Sequence, residues 1–213
     1  GKVSQWGQVM GPDVGIKACL ESLSPAIKAM RNDVPVSSGE KLGIGVAAGY
    51  KNSSTPTMIP EGRTDVTLRL EKNGIIEVYT GGCEVGQGLV DALNRITARA
   101  LDLPVSRIRI IPGSTDYTTS RMLTSASQQV FLTGGAILRT AVKFKRQLFQ
   151  SAAQVLQKPL GSLVLKTDGV GENNGVFISF EKLAKKCVSS GQLPSVHEIY
   201  TPPVKNIFSP EIV

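Results

Sequence analysis

The run Thr80-Gly81-Gly82-Cys83-Glu84-Val85-Gly86-Gln87-Gly88-Leu89 constrains this chain more than any other stretch. A strand-like segment, Ile75-Ile76-Glu77-Val78-Tyr79, leads into it, and a helix-like segment over residues 89–101 leads out. Glycines at 81, 82, 86 and 88, between strand and helix, specify a turn with an almost bare backbone. Such a turn lets amide N–H groups approach an anion, and the N-terminus of the following helix adds partial positive charge. The glycines miss the G-x-G-x-x-G spacing of a dinucleotide loop, and no lysine follows Gly88 as a Walker loop requires. Gln87, a carboxamide between two glycines, carries donor and acceptor on one flat group. Glu84 reads as an anchor accepting loop amides rather than as a general base. Cys83 reads as a small buried filler rather than a reactive thiol.

The rest of the chain arranges itself around this loop. Ile16, Leu20, Leu23, Ile27 and Met30 form one helical stripe, with Asp13 as its cap and Pro25 predicted to kink or divide it. Residues 42–50, rich in glycine and alanine, read as a buried strand whose glycines let a backbone or ligand lie close. Residues 51–62 read as loop. Val66, Leu68 and Leu70 alternate with polar residues as a half-buried strand, and Asn73-Gly74 predicts a hairpin returning through residues 75–80. A helix over 89–101, stopped before Pro104, and a strand over 107–111 complete a β-α-β unit.

A second polar loop, residues 112–124, follows that strand. Eight Ser and Thr residues lie between Ser114 and Ser127. Thr124-Ser125-Ala126-Ser127-Gln128-Gln129 stands at the start of a long helix predicted over 125–157, where hydroxyls cap amides or meet an oxyanion. Gly134-Gly135 within it marks a close helix contact. Two polar loops, each between a strand and a helix, fall on the same strand edge, where open α/β sheets bind ligands. Strands over 162–167 and 176–180 and a helix over 181–188 make a smaller pattern. Residues 191–213 hold four prolines and no clear period, and His197 within them reads as a surface residue.

The predicted fold is α+β (mixed α/β): a β-hairpin and β-α-β units with a long helix, followed by a smaller ββα unit. Residues 1–160 form the α/β region with both loops, 161–190 the small unit, and 191–213 a proline-rich tail leading to a further part. The 213 residues, 41% hydrophobic and 19% charged, suffice for a sizeable core. Net charge +7 reads as a solubilising surface or as a face for an anionic small molecule or an acidic neighbour. Aromatics are only 5%, and no basic run exceeds Lys143-Phe144-Lys145-Arg146, so nucleic acid is not the expected partner. Three scattered cysteines and one histidine make neither a disulfide framework nor a metal site, and a cytoplasmic setting is expected. No membrane span or signal peptide is expected. The chain starts at Gly1, which reads as a processed chain or a cut piece. No nucleophile–base pair stands out, so no catalytic residue is expected on it.

The two loops resemble a known family. Gly81-Gly82-Cys83-Glu84-Val85-Gly86-Gln87-Gly88, Ala98-Arg99-Ala100-Leu101, Ser114-Thr115-Asp116, and Thr124-Ser125-Ala126-Ser127-Gln128-Gln129 with Leu132-Thr133-Gly134 look like the second molybdopterin-binding region of the xanthine dehydrogenase and aldehyde oxidase family. The resemblance runs from about Val14 to about Phe180. It implies a part of the molybdenum subunit of a hydroxylase that oxidises a purine, another N-heterocycle or an aldehyde with oxygen from water. It implies that Gly86, Gln87, Gly88, Thr124, Ser127 and Gln129 bind molybdopterin, which in many bacterial members carries cytosine dinucleotide. The pterin, not the protein, would hold the molybdenum. Iron–sulfur and FAD groups would sit on partner domains or subunits. The family's catalytic glutamate and its upstream glutamine loop have no counterpart here, and Gln128 stands where several bacterial relatives have Arg. A fragment inactive by itself is therefore expected. The alternative is a non-catalytic binding or assembly module of the same fold; a nucleic-acid-binding domain, suggested by charge alone, is the weakest.

Overall fold

The computed structural model describes residues 3, 9–11, 14–33, 35–49, 63–118, 124–125 and 127–201. The chain divides into two compact units, one of Gly1–Lys51 with Pro203–Val213 and one of Asn52–Pro202. Asp13 and the loop expected over 51–62 lie outside the described residues.

In the first unit, helix α1 spans Ile16–Asp33 and runs through Pro25 without a break. Mid-helix proline removes one backbone hydrogen bond, and here that loss does not divide the helix. Ile16, Leu20, Leu23 and Met30, the expected apolar stripe, are all exposed. The buried strand expected over residues 42–50 is not found. Residues 41–49 are irregular and largely exposed, Leu42 by 46% and Val46 by 50%. Nothing lies within 4 Å of a side chain built on Gly43, Gly45 or Gly49. No neighbouring strand among the described residues satisfies this segment, so its small residues have no sheet to enter.

The second unit is built on a four-stranded sheet. Strand β1 (Thr64–Leu70) and strand β2 (Ile76–Thr80) form the expected hairpin, with Leu70 opposite Ile76. The turn is closed by Glu71 N–H to Ile75 O and Gly74 N–H to Glu71 O. Gly74 has φ 81, and a Cβ there would lie 2.8 Å from Glu181 N. Helix α2 (Leu89–Leu101) is the crossover to strand β3 (Ile108–Pro112), which pairs parallel to β2 with Thr80 opposite Pro112. Asp102, in left-handed backbone, ends α2. Helix α3 (Gln129–Leu156) begins four residues later than the sequence suggests, because a turn at Gln128 N–H to Ser125 O precedes it.

One face of the sheet carries Val66, Leu68, Leu70, Ile76, Val78, Ile108 and Ile110, all buried in one core with Leu89, Leu93 and Leu101 of α2 and Ile137, Phe144 and Leu148 of α3. Burying each such side chain contributes about 1.5–3 kcal/mol. Gly134 and Gly135 mark the expected close approach. A Cβ on Gly134 would meet Ile96 Cδ1 at 3.2 Å, and one on Gly135 the Tyr200 ring at 2.7 Å.

The C-terminal third departs from the sequence reading. Residues 195–200, in the expected proline-rich tail without a clear period, form strand β7 (Ser195–Tyr200). It pairs antiparallel with β1, Leu68 opposite Val196, and makes the sheet order β3-β2-β1-β7. The period was hidden because Glu198 shares its face with Val196 and Tyr200, and Ile199 is exposed. A second sheet joins β4 (Val164–Lys166), β5 (Gly169–Gly171) and β6 (Phe177–Ser179) in that order. Strand β5, Gly-Val-Gly, has no sequence signature. Its glycines are required, since a Cβ on Gly169 would lie 2.0 Å from Ile178 O. Helix α4 (Phe180–Ser189) follows, capped by Ser179 Oγ accepting from Lys182 N–H. Leu163, Val170, Ile178, Phe180 and Leu183, within the expected small unit of residues 161–190, belong to the same core.

The sheet's second face is polar. Tyr117, from the loop after β3, stacks on Tyr79 with ring centroids 4.1 Å apart. Arg69 donates to the Tyr117 hydroxyl at 3.2 Å, and Thr67 Oγ1 donates to Tyr117 O at 2.9 Å. Thr67, expected on a solvated face, is buried beneath this cover. Thr67 Oγ1 also meets His197 Nδ1 at 2.9 Å. His197 is 42% exposed but tied to the sheet rather than loose in a tail.

Candidate functional site

Parallel strands β2 and β3 end side by side, so the loops that follow them start at one edge of the sheet. Gly113 N–H, just past β3, donates to both Thr80 O (2.8 Å) and Gly82 O (3.1 Å). This joins the two loop bases. Both loops and their common edge follow from the order of elements; the joining amide has no sequence signal.

The first loop satisfies itself. Glu84 Oε1 accepts from Gly86 N–H at 2.9 Å and Gly88 N–H at 3.0 Å, and Glu84 Oε2 from Val90 N–H at 2.9 Å. These amides, Val90 foremost, hold the Glu84 carboxyl below the usual glutamate range. Glu84 is thus the anchor expected from the sequence. It also bears on a second expectation: the Gly86, Gly88 and Val90 amides do not stand open for an outside anion. Gln87 is clipped inward as well. Its Oε1 accepts from Val85 N–H at 2.7 Å and its Nε2 donates to Cys83 O at 3.0 Å. One lone pair and one N–H of that carboxamide remain. Gly86 and Gly88 adopt φ 99 and 78, and nothing lies within 4 Å of a Cβ built on either. They present bare backbone to open space. Cys83, expected as buried filler, is exposed, because the loop it belongs to lies at the surface.

The second loop is hooked onto the first. Cys83 N–H donates to Thr124 Oγ1 at 2.9 Å, and Gln129 Nε2 donates to the same oxygen at 3.1 Å. Gln129 Oε1 in turn accepts from Thr133 Oγ1 at 3.1 Å. With two bonds accepted, Thr124 has its own proton left to give. Gln129 is only 6% exposed, so its side chain is a strut behind Thr124 and not a lining group. Gly82 and Thr133 complete this strut; the i,i+4 spacing of Gln129 and Thr133 is the signal that could have revealed it. Ser127 is exposed and sits in left-handed backbone, φ 53. Gln128, at the N-cap of helix α3, makes no side-chain cap bond, whereas Glu84 takes the Val90 amide of α2. Thr119 and Ser120 lie outside the described residues. Among the described residues no group of His, Cys, Asp and Glu could hold a metal ion, and no helix is long and apolar enough to cross a membrane.

Known proteins resemble this arrangement across most of the chain. The profile of the molybdopterin cofactor-binding domain matches residues 18–210. The chain belongs to the molybdopterin cofactor-binding domain family. Within the family it is similar to the probable hypoxanthine oxidase XdhD of Escherichia coli K12, 27% identical over 145 residues, 68% of this chain and 15% of the relative. It is also similar to a nicotinate dehydrogenase chain of Pseudomonas putida, 26% identical over 62% of this chain and 11% of the relative. The chain therefore spans a small part of the length of these relatives. In solved structures the fold matches CO dehydrogenase from Oligotropha carboxidovorans, with TM-score 0.56 and 24% identity over 66% of this chain and 18% of that one. It also matches quinoline 2-oxidoreductase from Pseudomonas putida 86, with TM-score 0.52 and 23% identity over 66% of this chain and 19% of that one. The mixed α+β architecture of the chain is the fold that it shares with those structures over the matched part.

Proposed function

We propose that this chain holds the pterin and phosphate of a molybdopterin in a molybdenum hydroxylase, and that Gly86, Gln87, Gly88, Thr124, Ser127 and Gln129 do so. The observation that carries the reading is Thr124, which joins both loops and keeps a proton to donate. Ser127, exposed just before α3, adds its hydroxyl beside it for a phosphate. The bare backbone of Gly86 and Gly88, with the remaining lone pair and N–H of Gln87, suits the flat edge of a heterocycle. Gln129 acts from behind, by fixing Thr124. This donor set fits a group that is both anionic and heterocyclic.

When bound, the cofactor's molybdenum supplies the redox chemistry, and this chain's residues bind and orient. The whole enzyme would hydroxylate an N-heterocycle or aldehyde with oxygen from water; the names of the hypoxanthine oxidase and nicotinate dehydrogenase relatives support the first. The cofactor in its cytosine dinucleotide form, iron–sulfur and FAD groups on partner domains or subunits, the remainder of the molybdenum subunit and a cytoplasmic setting belong to the same proposal. The chain by itself turns over no substrate, a reading that an active isolated chain would refute.

The test is a Thr124→Val, Ser127→Ala pair in the assembled enzyme. Pterin content, read by fluorescence of the oxidised pterin, should drop roughly tenfold or more for two lost charge-assisted donors. Full content in a folded double variant would favour an assembly module instead.

A further inference from the structure

The first loop carries its own anion. Glu84 lies four residues before Gly88, the residue that caps α2 with φ 78 and no side-chain bond of its own. Its two oxygens take the amides of Gly86, Gly88 and Val90 at 2.9, 3.0 and 2.9 Å. A helix N-terminus favours a carboxylate for the same reasons that it favours a phosphate: orphan N–H groups and the positive end of the dipole. One anion suffices there.

We infer that Glu84 is a positioning residue that keeps the α2 N-terminus closed to the ligand's phosphate and sets Gly86-Gln87-Gly88 in the shape that meets its heterocyclic part. This rests on the cofactor-holding function proposed above, but its local half concerns this chain alone. The three amide bonds curl residues 84–90 around the carboxylate, and the Gln87 clip to Val85 N–H and Cys83 O follows from that curl. Removing the carboxylate frees three donors at once and opens a second anion site one loop away from the first.

The experiment follows the backbone amide signals of Gly86, Gly88 and Val90 by NMR in the full chain, wild type and Glu84→Ala, titrated with formate and with inorganic phosphate. In the wild type these signals stay unmoved by either anion. In Glu84→Ala they exchange with solvent roughly tenfold faster and then shift saturably with added formate, an anion standing in for the lost carboxylate. Wild-type signals that move with phosphate overturn the inference, since Glu84 would then be displaceable. So do Glu84→Ala signals that stay protected and ignore formate. In the assembled enzyme, Glu84→Ala should lower pterin content several-fold, with Glu84→Asp restoring part; undiminished content overturns the positioning role. Failure of the cofactor-holding function itself registers separately, as full pterin content in the Thr124→Val, Ser127→Ala pair.

Discussion

A methyl group on Gly82 would lie 2.6 Å from Oε1 of Gln129 and 3.2 Å from Cδ2 of Leu89. The glycine at this point of the loop is needed for space, since the strut from Gln129 to Thr124 passes directly across it. Gly82→Ala should push Gln129 off Thr124 and lower stability by about 1–3 kcal/mol. Denaturant midpoints check this. Gly82→Ala should cost little more in a Gln129→Ala background than Gln129→Ala alone, as contacting residues couple.

Ser127 combines an exposed hydroxyl with left-handed backbone. A non-glycine residue there costs about 1 kcal/mol. Ser127→Gly should raise the melting temperature of the chain and, on the proposed function, reduce pterin retention in the assembled enzyme. A lower melting temperature would mean that the serine is not strained.

Strand β7 is held against α3 by the contact of Gly135 with Tyr200, whose ring also lies under Arg139 at 5.6 Å. Gly135→Ala should destabilise by about 1–3 kcal/mol, and Tyr200→Ala in the same chain should recover part of the loss. An additive double variant would show that the two do not touch.

Burial, the hydrogen bond to Glu77 and the charges of Glu77 and Glu71 push the Tyr79 phenol well above its ordinary value. A raised folded value favours the neutral phenol, so its contribution is complete below about pH 10, the unfolded value. It is lost as pH rises through the folded value. Alkaline melts should therefore show a loss of stability that sets in near pH 10 and continues toward the folded value, and Tyr79→Phe should flatten it.

Glu84 has the opposite sign. Its folded value is lowered by the Val90, Gly88 and Gly86 amides. The loop contacts are complete above the unfolded value of about 4.3 and fail as pH falls through the lower folded one. Protection of those three amides, their exchange relative to the free-chain rate at each pH, should fall only in acid, and protection that stays constant through that range would contradict the assignment.

The parts of the fold legible in the sequence were those with a strong local signal. Asn73-Gly74 marked the hairpin, and helix α2 runs over residues 89–101 as its apolar period indicates. Thr80 opposite Pro112 bears out the shared edge of the two loops. What failed lacked local information. Residues 42–49 have strand-like composition but pair with no strand among the described residues, and strand pairing is a property of two segments. Strand β7 has the reverse character: a weak pattern, made into a strand by β1. At the site, composition identified Glu84 and Gln87, yet only geometry showed Gln87 turned inward and Gln129 buried behind Thr124.

The union of β1 with β7 has a consequence for how the chain reaches its fold. Thr67 and His197 are partners across 130 positions of sequence. Closing a loop of that length must precede any gain from the pairing, and contacts of such separation slow folding. During synthesis the hairpin, α2 and β3 can assemble as they emerge, but β1 keeps one open edge until residue 200 leaves the ribosome. For that interval the nascent sheet offers unpaired backbone to other chains, and a partner able to shield a strand edge would matter most then.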